Sequence, residues 1–216
     1  MADTCEWASK DPTIQNFHDF EWGHPCIDSN ELFEKLCLHA LVATGFKKKT
    51  IEVEGMDTSQ FSFLETRENY RSLFAGFDPD KLVEFSNEQI DKIVADEKEK
   101  EKQENYKGGI NKNKQVLKSL VNNAKAFNKM MAEGKSFSEF CWSFSEGKVI
   151  IGGKSEEDLL KIATEMSKGL KDNGFTYTTP TVCLAFMKTA GIVNAHAGSC
   201  PIRGECMEEA KIFNKF

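Results

Sequence analysis

A chain of 216 residues, 40% hydrophobic and 29% charged, has the size and balance of one soluble domain with a real core. No apolar run approaches the ~18 residues that a membrane span needs. A net charge of −6 argues against a broadly basic nucleic-acid-binding surface but leaves a local basic face open. Seven scattered cysteines exclude a disulfide scaffold, and the start from Met1 to Trp7 lacks the basic and apolar regions of a secretory signal. An intracellular protein is expected, nuclear or cytoplasmic.

The signals are helical almost throughout, and seventeen phenylalanines predict an aromatic-rich core. Asp28 with Glu31 resembles a capping box, followed by Leu32, Phe33, Leu36, Cys37, Ala40 and Leu41 at helical spacing. Residues 46–61 (FKKKTIEVEGMDTSQF) break the pattern and read as an insertion-like loop or short strand pair. Asp78 before Pro79 opens a short helix. Ser86 with Gln89 caps another, which runs into Ile90, Ile93 and Val94. The charge run 96–108 reads as a solvated helix end. Val116, Leu117, Leu120, Val121, Ala124 and Phe127 mark an amphipathic helix, and Ser136 with Glu139 caps the next. Ser155 begins a helix that Asn173 and Gly174 end. Thr179 and Pro180 start the following one, which Gly191 closes.

His196 and Cys200 are one helical turn apart, and Cys5 and His18 lie near the other end. Together they offer a Cys2His2 set suited to tetrahedral zinc. Spacing alone leaves the bland reading open, an ordinary buried histidine and free thiols. Cys37, Cys141 and Cys183 sit in apolar helical patterns as buried thiols.

The residues around those four are more specific. Cys5-Glu6-Trp7, Asp11-Pro12 and residues 17–25 (FHDFEWGHP) resemble the opening of the 3-methyladenine DNA glycosylase I family. Residues 28–38 (DSNELFEKLCL), 67–71 (RENYR), 140–144 (FCWSF) and the stretch from Met166 through Gly174, Phe175, Gly191 and Asn194 to His196 follow in order, so the resemblance spans essentially the whole chain. It implies one all-α domain, 1–216, with a helix-hairpin-helix glycosylase fold. It implies a structural zinc on Cys5, His18, His196 and Cys200 that joins the two ends. Four protein ligands close such a site, so its task is to stabilise. Cys206 is a substitute thiol without a family counterpart. The hairpin falls at Gly174 to Thr179, where backbone N–H groups beside a helix N-terminus bind a DNA phosphate, with Lys168 and Lys171 adding charge. Thr179 stands where the family usually has glycine.

The implied activity is hydrolysis of the N-glycosidic bond of alkylated purines such as 3-methyladenine in double-stranded DNA, by a monomer that takes the base out of the stack. In related enzymes an aromatic cage holds the cationic base, with a glutamate and a tryptophan. Here Phe17 replaces a tyrosine, Ile14 another, and His39 stands where many members have the glutamate. The pocket is expected around Phe17 and Trp22. Glu52 (or Glu54) would supply the carboxylate, and Phe46 or Phe61 the missing indole. His39 is a candidate hydrogen-bond donor or acid toward the base, against the reading of a plain helix histidine. The alternative is a catalytically inactive member that keeps the zinc-tied fold as a DNA- or protein-binding module.

Overall fold

The computed structural model describes residues 4–43, 63–103, 106 and 109–213. The expected loop or strand pair at 46–61, with Glu52, Glu54, Phe46 and Phe61, lies outside them. Ten α-helices carry the described chain: α1 Pro12–Phe20, α2 Ser29–Val42, α3 Arg67–Leu73, α4 Pro79–Leu82, α5 Asn87–Lys100, α6 Lys114–Ala132, α7 Phe137–Ser143, α8 Glu156–Asp172, α9 Pro180–Thr189 and α10 Pro201–Phe213. Two short strands, β1 Ile150–Ile151 and β2 Val193–Asn194, pair in parallel. No helix among the described residues is long and apolar enough to cross a membrane.

Side-chain caps set the helix starts. Asp28 accepts from Glu31 N, Asp78 from Asp80 N and Ser155 from Asp158 N, each satisfying an N–H that the first turn leaves without a helical partner. Ser86 and Gln89 make a full reciprocal box. At Asp28 only the forward half forms.

Helix α2 is the hub. Leu32, Phe33, Leu36, Cys37, Ala40 and Leu41 are all fully buried, because α6, α7 and α9 pack around it. An aromatic chain runs through the core, Phe33 to Phe127 to Phe137 to Phe175, with successive centroids 5.1, 5.3 and 5.5 Å apart. Such edge and offset contacts add to simple area burial. The charge run corrects the sequence reading at one residue. Glu97 is fully buried, held by Lys100 at 2.8 Å, by Asn69 and by the Tyr106 hydroxyl. A charge at that depth persists because each carboxylate oxygen has a donor.

Two close approaches bring the chain ends together. Gly191 has φ +71°, and a Cβ there would lie 2.4 Å from the carbonyl carbon of His24. The contact is sealed by Cys26 N donating to Ala190 O at 3.0 Å. Gly23, at φ +83°, lets the backbone pass within a would-be 2.6 Å of His196 Nε2.

Candidate functional site

Cys5, His18, His196 and Cys200 are all buried, and their ligand atoms lie within 4.8 Å of one another. His18 comes from α1, Cys5 from the segment before it, His196 from just after β2, and Cys200 from the turn into α10. His18 Nε2 and His196 Nδ1 are 3.1 Å apart. Three of the four sulfur-to-nitrogen distances are 3.6, 3.7 and 3.8 Å. A tetrahedron with Zn–N of about 2.05 Å and Zn–S of about 2.3 Å has edges of about 3.3 Å between nitrogens and about 3.6 Å between nitrogen and sulfur.

The outer hydrogen bonds fix where the ring protons are. His196 Nε2 donates to Trp22 O at 2.9 Å, and His18 Nδ1 donates to an Asp19 carboxylate oxygen at 2.7 Å. Each ring therefore turns its lone pair inward, and two inward lone pairs at 3.1 Å call for a cation between them. The carboxylate and carbonyl behind the imidazoles are the usual supports of metal-bound histidine. Ala197 N donates to Cys5 Sγ at 3.3 Å, stabilising a thiolate. By itself, burial pushes the Cys5 thiol up to about 11 and His196 down to about 4. Cys206, the alternative thiol, is buried but outside the converging group.

Trp22 does not line the aromatic cavity described next. Its ring meets His196 edge-on at 4.6 Å, stacks 6.1 Å from His18 and meets Trp7 at 4.9 Å. The two indoles pack against the histidines of the Cys2His2 group.

A cavity of about 110 Å³ opens between α1, α2 and α3. Phe17, Leu38, Phe63 and Thr189 make its apolar part, with Phe17 and Phe63 edge-to-face at 5.7 Å. Its rim is ionic. Arg67 grips Glu21 with two hydrogen bonds, 2.5 and 3.0 Å. Arg71 holds Glu34 at 2.7 Å, and Lys35 pairs with Glu31 at 3.1 Å. The sequence reading missed this rim and missed Phe63. The RENYR segment (67–71) pointed to the right residues, but their carboxylate partners lie 46 and 37 positions away, beyond any local pattern.

His39 lies behind this wall. Its Nε2 is 2.8 Å from the Thr189 hydroxyl, and its ring meets Phe63 edge-on at 5.2 Å. Its Nδ1 is buried with no hydrogen-bond partner among the described residues. Burial, helped by the positive charge of Lys35, lowers its pKa to about 3, so the ring is neutral near pH 7. A proton donor with that pKa does not suit an acid role at neutral pH. Ile14 is fully buried core.

Helices α8 and α9 pack against each other, joined by residues 173–179. Asn123 of α6 pins this connection. It donates to Thr176 O at 3.1 Å, while its Oδ1 accepts from Thr176 N at 2.8 Å and from the Thr176 hydroxyl at 3.2 Å. Asn122 donates to Gly174 O at 3.1 Å. Gly174 has φ +91°, the conformation that closes α8. Thr179 is the N-cap of α9, its hydroxyl accepting from Val182 N, which accounts for a side chain where glycine was the expectation. Lys168 and Lys171 are exposed, and neither forms an ion pair among the described residues.

Residues 7–203 match the methyladenine glycosylase family; the chain belongs to that family. It is 31% identical over 207 residues to the DNA-3-methyladenine glycosylase of Haemophilus influenzae, covering 94% of this chain and 99% of that protein. It is 31% identical over 200 residues to DNA-3-methyladenine glycosylase 1 of Escherichia coli, covering 91% and 94%. Among solved structures, a crystal structure of 3-methyladenine DNA glycosylase I superposes with a TM-score of 0.74 at 30% identity, covering 92% of this chain and 98% of that one. The Staphylococcus aureus enzyme, solved for the structural basis of 3-methyladenine recognition, gives 0.71 at 28%, covering 92% and 95%.

Proposed function

We propose that this chain is a DNA-repair glycosylase that hydrolyses the N-glycosidic bond of alkylated purines, 3-methyladenine first among them, in double-stranded DNA. The observation that carries this reading is a match over nearly the whole length of both chains to enzymes named for that reaction, with an aromatic cavity at Phe17 in the middle of the fold. In the reaction, water adds to C1′ of the sugar and loses a proton to solvent while the bond to the purine nitrogen breaks. The bond pair goes to the base, which leaves neutral because alkylation had made it cationic, and an abasic sugar remains. Such a leaving group needs little acid catalysis, which agrees with a neutral His39. Its proposed part is hydrogen bonding through Thr189 behind the cavity.

In this reading Phe17 and Phe63 face the base, and their ring faces attract its positive charge. Phe63 takes the part that the sequence reading left to Phe46 or Phe61. The part proposed for Glu52 falls on Glu21 or Glu34. The 173–179 connection acts as a helix-hairpin-helix element, its N–H groups and Lys168 and Lys171 meeting a DNA phosphate. A zinc ion held by Cys5, His18, His196 and Cys200 would tie the chain ends together and take no part in the chemistry.

One observation favours the second reading, a non-catalytic member that keeps the fold. The Phe63 ring lies against both Phe17 and His39, narrowing the space between them. Titration with free 3-methyladenine, followed by tryptophan fluorescence, decides between the two. Saturable quenching supports the glycosylase. No binding to wild type, with binding gained by Phe63→Ala, supports a pocket closed by its own side chain.

A further inference from the structure

A second and larger cavity, about 280 Å³, lies at the other end of the α8–α9 pair from the 173–179 connection. Its floor is apolar, made by Ile150, Leu159 and Val193. Three cations from three separate segments converge on it: Lys154 before α8, Lys188 near the end of α9 and Arg203 in α10. The one carboxylate on its wall, Glu156, is taken by Lys188 at 2.8 Å. The cavity thus concentrates positive charge in a molecule whose net charge is −6.

Arg203 is the telling residue. The chain has three arginines, and Arg67 and Arg71 both grip carboxylates. Arg203 has no anionic partner among the described residues. Its Nη1 donates to the His196 carbonyl at 3.1 Å, and its own carbonyl accepts from Asn194 Nδ2 at 3.0 Å. Asn194 Oδ1 in turn accepts from His196 N at 3.3 Å. The guanidinium is thereby held in place, with Nη2 against Gly152, where a Cβ would approach to 3.0 Å. A guanidinium fixed by neutral contacts, facing a cavity beside a lysine with no ion pair among the described residues, is arranged for a planar or tetrahedral oxyanion. The N-terminus of α8 adds little, since Glu156, Glu157 and Asp158 already occupy its first turn.

We propose that this cavity binds a phosphate ester, with Arg203 and Lys154 on the phosphate and the apolar floor under the attached group. The phosphate belongs either to a free nucleotide or to the DNA backbone. The proposal does not depend on the glycosylase reading. The test uses the full, zinc-loaded chain and measures Tm against inorganic phosphate, adenosine 5′-monophosphate and a short undamaged duplex, each compared with chloride at matched ionic strength. At ten times Kd, Tm is expected to rise by about 3–5 °C. Lys154→Ala removes an exposed side chain with no ion pair among the described residues, so it leaves the fold intact, and it should weaken the response about ten-fold. Arg203→Met should abolish it, although that variant also frees the His196 carbonyl. A response to inorganic phosphate or the mononucleotide that Lys154→Ala weakens identifies a free ligand; a duplex affinity that alone depends on Lys154 identifies the DNA backbone. No response to any of the three probes, or responses that Lys154→Ala leaves unchanged, overturns the proposal.

Discussion

Replacing Asn123 by alanine tests whether the 173–179 connection is held from outside. Asn123 is fully buried and makes three hydrogen bonds to Thr176 at 2.8, 3.1 and 3.2 Å. Each net bond contributes about 0.5–1.5 kcal/mol. Thr176 is exposed, so water recovers part of the loss, and the expected cost is about 2–3 kcal/mol. For a chain of this size that lowers Tm by roughly 5–10 °C. The variant should still fold, because α6 keeps its apolar face. Duplex DNA affinity should fall by more than the stability change explains, since N–H groups that are no longer prearranged must be ordered on binding. Thermal unfolding and fluorescence anisotropy with an alkylated duplex read the two effects, with Lys125→Ala on an exposed face of the same helix as control. An unchanged Tm and unchanged affinity would refute the claim that Asn123 organises this connection.

Other perturbations probe the Cys2His2 group and the cavity. Cys200→Ser should reduce bound zinc from one per chain to a small fraction by elemental analysis and lower Tm, and a metal-free wild type would remove the zinc assignment altogether. Gly23→Ala should do the same from outside the ligand set, since its Cβ would press on His196 Nε2; full zinc retention would show that the backbone gives way there. His39 supplies a pH signature. Its folded pKa of about 3 lies below the unfolded value near 6.5, so the unfolded chain takes the proton first. The stability from keeping this ring neutral is complete above pH 6.5 and is lost as pH falls toward 3, by up to about 1.4 kcal/mol per unit. His39→Gln should therefore lose less stability than wild type between pH 7 and 4.5 in urea unfolding. Parallel curves would show that His39 is not held neutral by the fold.

Much of the architecture was legible because it is local. The starts at Asp78, Ser86, Ser155 and Thr179 depend on a side chain two or three residues from the N–H it caps, and each appears as read. The four converging cysteines and histidines were legible only through the surrounding motif, since 178 positions separate His18 from His196 and spacing cannot pair them. What sequence could not give was depth. Glu97 sits in a run of charges that looks uniformly solvated, and only the return of Tyr106 and the approach of Asn69 decide that it is buried. Trp22 follows the same logic. One turn of α1 directs Phe17 into the cavity and His18 into the cluster, and the chain leaving α1 turns the indole toward the histidines. The partner of Arg67 is Glu21 at the C-cap of α1 and that of Arg71 is Glu34 in α2, tertiary pairings without a local signature.

The most direct test of the account is the release of free methylated bases from alkylated duplex DNA by the purified, zinc-loaded protein. The expected result is 3-methyladenine in the supernatant and an abasic site in the strand. Folded, metallated protein that releases no base would contradict the glycosylase reading.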